Sequence, residues 1–460
     1  MNLSHEFEDL IDWTFPSFGK LWTYNLNYFD YLNQVAITRV EGLRLINEFI
    51  KQIALLKDAL EPFPLSLRGM NWIKFIVRYD IKEQIIDDCL YAQYQILMDN
   101  LEYHLLGNHL LENGFSLLFG AYYFQEEKLY TKAKAILIDE LNEQILEDGA
   151  HFELSPMYHQ IMLFRVLDCI NLLQNNHWKN DALLSLLCKK AALMLGWLNI
   201  VTFKNGKIPL LNDSANHIAP TTRQLNDYAN RLNIKDEKCN TKLSNSGYRK
   251  INKEKYECIV DIGQIGPDYI PGHAHSDTFN FELYINDKPF IVDTGISTYE
   301  VNKTRHKERS TFSHNTVQID GLEQSEMWGG FRVANRAKVI ALKENEYTIK
   351  AVHDGYKKRI GALHQREFIF SDDSIRIIDN IFSKKNHDAI ARLHFHPDVK
   401  IKIVDDVVFV NDIQIKQKNQ HQRFKTTNYH YSPEFNKQLP AIVLEIPFNN
   451  TLDIEILLST

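Results

Sequence analysis

Three histidines and one aspartate lie close together in the chain and are the side chains best suited to chemistry. His273 and His275 belong to the sequence G-H-A-H-S-D, Asp293 belongs to V-D-T-G, and His314 belongs to S-H-N. If the first sequence forms a strand, both of its imidazoles face the same side. Two imidazoles and a carboxylate make a ligand set suited to Zn²⁺ or a similar divalent ion. One histidine is left over, and a histidine beside a metal is a candidate proton carrier.

A second polar cluster reads G-N-H-L-L-E-N at residues 107–113. Asn108 occupies the place of a helix N-cap, and Glu112 falls one turn later on the same side. A capping asparagine followed by a charged helix face is the simplest interpretation of this spacing. A binding site at the start of the helix is the alternative.

A third cluster covers residues 148–159 and contains F-E-L-S-P-M-Y-H. Ser155 as N-cap and Pro156 as the first helical residue predict a helix start that puts Tyr158 in the first turn. The helix dipole there favours a phenolate and attracts a carboxylate. An exposed surface tyrosine is the alternative. The stretch Asn212–Ser214 is predicted to be a polar turn that either lines a pocket or is simply a turn.

The apolar residues that must position these clusters change period along the chain. From Gln34 to Leu232 the spacing is helical. Short connections rich in proline, glycine and asparagine indicate antiparallel helical hairpins. The predicted helices are Val35–Leu60, Trp72–Leu106 with a break inside it, His109–Phe124, Tyr130–Glu147, Pro156–Gln174 and Asp181–Val201.

After about Asn245 the period is two, which indicates β-strands. Three hairpins are predicted, with turns at Asn286–Asp287, Ser371–Asp373 and Asn411–Asp412. Short strands at this spacing predict an antiparallel β-sandwich. The polar stretch Asp236–Ser246 marks the boundary, so we expect a helical domain over residues 1–240 and a β-sandwich over residues 241–460.

Composition narrows the function classes. The 460 residues carry a formal net charge of −7, which gives no bulk attraction to nucleic acid. No apolar run approaches the length of a membrane span, and no basic segment followed by an apolar core opens the chain. We therefore expect a cytoplasmic protein, or a periplasmic or secreted one if a leader has been removed. Five widely spaced cysteines argue against a disulfide framework or a cysteine-based zinc site.

Seven motifs in this order resemble the heparinase II/III group of polysaccharide lyases. They are L-W-T-Y-N-L-N-Y-F-D-Y, P-L-S-L-R-G-M-N-W, G-N-H-L-L-E-N, F-E-L-S-P-M-Y-H, L-N-D-S, G-H-A-H-S-D with V-D-T-G, and S-H-N-T-V. The resemblance implies an incomplete (α/α) toroid followed by an antiparallel β-sandwich, in agreement with the two periods of the chain. It also implies cleavage of a uronic-acid-containing polysaccharide, glycosaminoglycan-like or bacterial capsular, by β-elimination.

The resemblance also assigns roles to residues. Asn108 would neutralise the uronate carboxylate, and Tyr158 and His273 would be the acid and base. The metal ligands would be His275, Asp293 and His314, holding one divalent ion, by its ligand set Zn²⁺, in a structural role. Weaker candidates for binding the anionic sugar chain are His109, Glu112, Arg68, Trp72, Arg305 and Arg309.

Three other functions fit parts of the pattern. A uronate C5-epimerase would use the same proton abstraction and end in reprotonation. A metallo-hydrolase of the β-lactamase type also begins its metal site with H-x-H-x-D, but it needs a histidine where this chain has Thr278, and an αββα layer order. A non-catalytic polysaccharide-binding protein with a structural metal needs Asn108, Tyr158 and His273 to be incidental. The sequence predicts neither the polymer, nor endo or exo action, nor the oligomeric state.

Overall fold

The computed structural model describes residues 1–8, 10–179, 182–237, 243–269, 271–405, 407–410, 413–419 and 423–458. Helices dominate the first half and strands the second. The helices are α1 Lys20–Tyr28, α2 Arg39–Gln52, α3 Pro62–Arg78, α4 Gln84–Asp99, α5 Gly107–Phe124, α6 Glu127–Gln144, α7 Pro156–Gln174, α8 Leu183–Val201, α9 Thr222–Arg231, α10 Lys303–Glu308 and α11 Lys357–Ile360.

The strands are all antiparallel to their sheet neighbours. They are β1 Tyr248–Asn252, β2 Tyr256–Asp261, β3 Phe281–Ile285, β4 Lys288–Ile291, β5 Val317–Ile319, β6 Glu326–Trp328, β7 Arg332–Ala334, β8 Val339–Glu344, β9 Thr348–His353, β10 Leu363–Phe370, β11 Ser374–Phe382, β12 Ala389–His394, β13 Lys402–Val404, β14 Val407–Val410, β15 Ile413–Gln417, β16 Lys425–Glu434, β17 Lys437–Phe448 and β18 Thr451–Leu457.

The predicted helix from Pro156 to Gln174 is α7 to the residue, because a serine cap and an N1 proline fix its start. The sequence did not predict α1, α9, the short helices α10 and α11, or the part of α3 that precedes Trp72. In α9 and α1 the apolar stripe is short, so polar residues hide the period. The predicted start at Asp181 lies outside the described residues.

Helices α3, α5 and α7 line the centre of the toroid, with α5 packed against the other two. Most residues of α5 are buried, as befits a central helix surrounded by others. Helix α8 is apolar and long enough to span a membrane by composition alone. Its buried side chains nevertheless belong to the toroid core and it packs on α7, as a core helix does.

The strands form three main sheets and one isolated hairpin. An eight-stranded sheet, ordered β13-β14-β15-β18-β11-β10-β9-β8, shares one apolar core with the four-stranded sheets β1-β2-β3-β4 and β16-β17-β12-β5. Strands β6 and β7 pair only with each other. This arrangement confirms the predicted fold class, a helical toroid followed by an antiparallel sandwich, and excludes the αββα order of the metallo-hydrolase alternative.

The sheet β1–β4 lies between the sandwich core and the helices. Ile259 and Tyr284 belong to the toroid core, whereas Cys258 and Leu283 belong to the sandwich core. Alternate residues of β2 and β3 therefore contact different halves, and both strands are buried along their whole length. The predicted domain boundary at residues 240 and 241 lies outside the described residues.

The predicted hairpin turn at Asn286–Asp287 is confirmed, and both residues have positive φ as a type I′ turn requires. The turn at Ser371–Asp373 joins β10 to β11 as predicted. The turn at Asn411–Asp412 lies outside the described residues. The prediction that G-H-A-H-S-D is a strand is wrong: residues 271–280 form a loop, fixed by side-chain hydrogen bonds rather than by a sheet ladder.

Candidate active site

A partly enclosed cavity of about 150 Å³ lies where the toroid meets the sandwich. Its helical walls come from the first turns of α3, α5 and α7 and from α1, and Tyr299 and Phe435 close it from the β half. Several helix N-termini thus face one small space, which favours a bound anion. Asn108 and Tyr158 both line this cavity.

Asn108 is the second residue of α5, since the helix begins at Gly107 and Leu106 is its N-cap. The prediction of Asn108 as the N-cap is therefore wrong by two positions. Its backbone N–H donates to Glu153 Oε1 at 3.3 Å. Its side-chain amide has no hydrogen-bond partner among the described residues and lines the cavity. The amide is free to donate to a ligand.

Tyr158 is the third residue of α7, and its backbone N–H donates to the Ser155 hydroxyl that caps the helix. Its ring stacks on the ring of His273, with centroids 4.0 Å apart and planes 30° from parallel. Burial raises the pKa of the Tyr158 phenol, which keeps it protonated at neutral pH. The two predicted acid/base groups are thus in direct contact, although they are more than 100 residues apart in sequence.

His273 is oriented by Asp213. Its Nδ1 lies 2.8 Å from Asp213 Oδ2, which leaves Nε2 on the side of the ring away from that carboxylate. The other carboxylate oxygen, Oδ1, is 2.9 Å from His275 Nε2, and Arg305 donates to both oxygens. Although burial opposes a charge here, Arg305 and the two histidines hold the pKa of Asp213 well below its usual range. A permanently ionised Asp213 therefore fixes His273 with Nδ1 protonated.

Two further groups near His273 and Tyr158 escaped the sequence analysis. Glu153 is buried, and its Oε2 has no hydrogen-bond partner among the described residues but lies 3.9 Å from His273 Nε2. Burial raises its pKa. The Tyr299 hydroxyl donates to the Tyr158 hydroxyl at 3.2 Å. Glu153 stands within the F-E-L-S-P motif and could have been suspected there, whereas no local pattern marks Tyr299.

The backbone is strained just before three of these groups. Leu106, Leu154 and Asn212 have φ of 54°, 56° and 57°. Residues with a Cβ pay a steric cost in this left-handed region, and such residues concentrate at functional sites. Leu106 lies two residues before Asn108, Leu154 lies four before Tyr158, and Asn212 lies one before Asp213.

Four of the six predicted sugar-binding residues are core residues instead. Arg68 is fully buried and donates to Gln93 Oε1, Asn27 O and Ala59 O, so it ties α3 to its neighbours. Trp72 is buried in an aromatic cluster with Phe29 and Phe49. These two predictions are corrected because neither side chain reaches solvent or the cavity.

The other two corrected residues are Arg305 and Arg309, which are 1 % and 0 % exposed. Arg305 pairs with Asp213, and Arg309 donates to the carbonyl of Ala274. Both lie behind the loop of residues 271–280, and neither side chain is exposed to solvent.

Glu112 lines the cavity, but both of its carboxylate oxygens accept hydrogen bonds from Arg165 Nε, at 3.0 and 3.1 Å. His109 lies beside the cavity wall, stacked on Phe63 and hydrogen-bonded to Glu102. Among the six predicted residues, only these two remain near the space that a sugar would occupy.

The three predicted metal ligands come together. His314 Nδ1 is 2.8 Å from Asp293 Oδ2, and the rings of His314 and His275 are 5.3 Å apart. His275 Nδ1 and His314 Nε2 are buried without a hydrogen-bond partner in the described part of the chain, which suits a cation. Within those same residues, however, no group of three or more His, Cys, Asp or Glu side chains is positioned to hold a metal ion.

The pKa values of His275 and His314 depend on burial and on the carboxylate beside each ring. Burial alone would lower the pKa of His314, but the Asp293 carboxylate outweighs burial and raises it. Burial lowers the pKa of His275 to about 4, despite the opposing pull of Asp213. His275 is therefore neutral at physiological pH, the form that ligates metals.

A larger cavity, of about 840 Å³, opens at the opposite ends of α3, α5 and α7. It shares Asp30 and Arg165 with the smaller cavity, but none of Asn108, Tyr158 and His273 lines it. Asn108 and Tyr158 thus line the smaller cavity and not the larger one, and the Glu112–Arg165 pair lies between the two spaces.

The two-part fold, a helical toroid followed by an antiparallel β-sandwich, is shared with known proteins. Residues 75–237 match the model of the heparinase II/III N-terminus, and residues 235–456 match that of the heparinase II/III-like C-terminal domain. The chain therefore belongs to the heparinase II/III-like family. It is 23% identical over 305 residues to a heparin-sulfate lyase of Bacteroides stercoris, a match that covers 60% of this chain and 44% of that enzyme.

Solved structures show the same fold at low sequence identity. Heparinase III superposes with a TM-score of 0.74 at 17% identity, covering 98% of this chain and 80% of that one. The heparan sulfate lyase HepC from Pedobacter heparinus gives 0.65 at 16% identity, with coverages of 97% and 78%. A chondroitin AC lyase from Streptomyces coelicolor A3, crystallised with chondroitin sulphate, gives 0.56 at 8% identity, with coverages of 96% and 75%.

Proposed function

We propose that this protein is a polysaccharide lyase that cleaves a uronic-acid-containing polysaccharide by β-elimination. The observation that carries the proposal is the contact between the rings of Tyr158 and His273, with Tyr158 and the free amide of Asn108 both lining one small cavity faced by helix N-termini. Membership of the heparinase II/III-like family supports it.

The chemistry follows from these groups. The amide of Asn108 donates to the uronate carboxylate and stabilises the charge that develops when C5 loses its proton. His273 Nε2 takes that proton, since Nδ1 is committed to Asp213. The C5–H electron pair forms the C4–C5 double bond, and the C4–O bond breaks.

Tyr158 completes the reaction. Its phenol, kept protonated by burial, gives its proton to the departing glycosidic oxygen. The proton taken by His273 then returns to the Tyr158 phenolate across the stacked pair, which restores both groups. No water is consumed.

The stacked arrangement favours elimination over epimerisation. An epimerase must remove a proton from one face of the sugar and return one to the other, which calls for groups on opposite sides of the ring. Tyr158 and His273 are 4.0 Å apart and so act from one side. This placement suits a glucuronate, whose C5 proton and C4 oxygen lie on the same face.

The test is incubation with three polymers: one of alternating glucuronate and N-acetylglucosamine, an iduronate-rich heparin, and a chondroitin. Ultraviolet absorbance of the unsaturated product reports elimination, and deuterium uptake at C5 reports proton exchange. We expect absorbance to rise fastest with the polymer of alternating glucuronate and N-acetylglucosamine. Deuterium uptake without absorbance would establish epimerisation instead.

We also propose that a divalent cation, with Zn²⁺ favoured by the donor set, binds His275 and His314 with Asp293 as the third ligand. The orphaned ring nitrogens of the two histidines support this proposal. When bound, the ion would hold the loop after His273 to the strands that follow it. Metal analysis of the purified protein, and the melting temperature with and without a chelator, test it, with His275→Ala expected to abolish both the metal and the shift.

A further inference from the structure

Among the described residues, the hairpin of β6 and β7 pairs with no other strand, and its turn contacts the loop of residues 271–280 that carries His273, here called the catalytic loop. Its turn is Gly329–Phe331, since Trp328 pairs with Arg332, and Gly329 has a positive φ of 57°. Trp328, just before the turn, and Phe331, within it, are 55 % and 42 % exposed. Trp328 is the one exposed tryptophan of the six, since the other five are buried or partly buried.

The tip of this hairpin is held rigidly against the catalytic loop. The carbonyl of Gly330 accepts hydrogen bonds from Arg305 Nε at 3.1 Å and from Arg309 Nη1 at 2.8 Å. Arg309 also donates to Ala274 O, next to His273 in the chain. The Phe331 ring meets the His273 ring edge-on, with centroids 5.9 Å apart. The aromatic tip is therefore fixed in place relative to the catalytic histidine.

One cation accompanies the exposed tryptophan. The Arg332 guanidinium lies 5.4 Å from the centroid of the Trp328 ring. Arg332 is exposed and forms no salt bridge or hydrogen bond with the described residues. The exposed Trp328 ring offers an apolar surface, and the unpaired Arg332 guanidinium beside it can bind a carboxylate through two parallel hydrogen bonds.

We propose that Trp328 and Arg332 form a subsite for one acidic sugar of the polysaccharide, beyond the sugars that occupy the cavity. The sugar ring stacks on Trp328, and its carboxylate or sulfate binds Arg332. This proposal rests on the proposed function for its choice of occupant. Continuity with the cavity carries that choice, because Tyr299 lines the cavity and its ring contacts the Phe331 ring, with centroids 5.4 Å apart. Trp328 immediately precedes the turn that contains Phe331.

The test is equilibrium binding in a Tyr158→Phe background, which is expected to stop turnover and so keeps the probes intact. The acidic probe is a hexasaccharide of alternating glucuronate and N-acetylglucosamine, and the neutral probe is a hexamer of N-acetylglucosamine. Trp328→Ala should weaken binding of the acidic probe about tenfold, and Arg332→Gln should weaken it by a similar factor that shrinks as salt rises. Arg332→Gln should leave binding of the neutral probe unchanged.

Matched controls are Phe382→Ala, which removes an equally exposed aromatic ring on the eight-stranded sheet, and Arg39→Gln, which removes an exposed cation at the start of α2. Neither should alter binding. Wild-type-like affinity in Trp328→Ala and Arg332→Gln, or no binding of the acidic probe even without these substitutions, would overturn the subsite. Failure of the lyase proposal is seen separately, as the absence of unsaturated product from the unmutated protein.

Discussion

Asp213 and His273 form a buried hydrogen-bonded pair, with Oδ2 and Nδ1 2.8 Å apart. Replacing the carboxylate by an amide keeps its size but removes the charge that fixes the imidazole tautomer. We expect Asp213→Asn to lower kcat by about 10²-fold or more. The same change leaves Arg305 buried without its partner, which we expect to lower the free energy of unfolding by about 3 kcal/mol.

These two effects of Asp213→Asn can be separated. Adding Arg305→Met removes the unpaired cation, so chemical denaturation should show part of the lost stability regained. The kcat of the double variant should stay low, since His273 still lacks its carboxylate. A single Asp213→Asn variant with wild-type kcat would contradict the positioning role.

Tyr158 is expected to be the acid of the reaction. Tyr158→Phe keeps the ring that stacks on His273 and removes only the hydroxyl, so kcat should fall by about 10²- to 10⁴-fold with little change in melting temperature. Tyr103→Phe, at a half-exposed tyrosine between α4 and α5, is the matched control and should have wild-type kcat. Substantial turnover by Tyr158→Phe would remove this residue from the mechanism.

Tyr299 contacts the reacting group only through the Tyr158 hydroxyl. Tyr299→Phe should therefore reduce kcat less than Tyr158→Phe does. Because burial and the Tyr299 hydrogen bond act in opposite directions on the Tyr158 pKa, loss of the bond should raise that pKa further. The kcat of the two variants is the measurement, and a greater loss in Tyr299→Phe than in Tyr158→Phe would contradict this reasoning.

Asn108 is expected to bind the uronate carboxylate as a neutral donor. Asn108→Asp is nearly isosteric but sets two carboxylates against each other, so kcat/KM should fall by more than in Asn108→Ala, about 10³-fold or more. Asn100→Asp, on an exposed asparagine after α4, controls for added negative charge. Equal losses in Asn108→Asp and Asn108→Ala would argue against a carboxylate at this position.

His159 links stability to pH. Burial lowers its pKa to about 3 and outweighs the hydrogen bond from Nε2 to Met194 O, which alone would raise it. Its Nδ1 accepts from the His151 N–H. The unfolded chain has a histidine pKa near ~6.5 and binds the proton first, so stability must fall as pH drops below that value. Each such histidine contributes a slope of about 1.4 kcal/mol per pH unit. His159→Gln should make the fall shallower by this amount in denaturation curves between about pH 6 and pH 4, and an unchanged slope would refute it.

The sequence predicted those parts of the site that have local signals. Ser155 and Pro156 mark the start of α7, so the position of Tyr158 in its first turn was predictable from adjacent residues. The change in apolar spacing from a helical to an alternating period is also a local signal, and it predicted the helical domain followed by the β-sandwich. Motif order then supplied the family.

Long-range partners were out of reach of this reasoning. Asp213 stands in a turn with no periodicity, and its meaning comes from His273 and Arg305, which lie 60 and 92 residues further on. Arg305 and Arg309 were predicted to bind the sugar chain, but both are buried. Arginines are usually exposed, and only the folded chain shows acceptors that compensate their burial.

The positive φ of Leu106 and Leu154 has a consequence for the evolution of this protein. Glycine at either position would relieve the backbone, yet it would also add freedom to the unfolded chain and to the segments that carry Asn108 and Tyr158. Selection for survival of heating and selection for turnover would then favour different residues at positions 106 and 154. A library selected only for survival of heating should enrich substitutions there that a library selected for product formation discards.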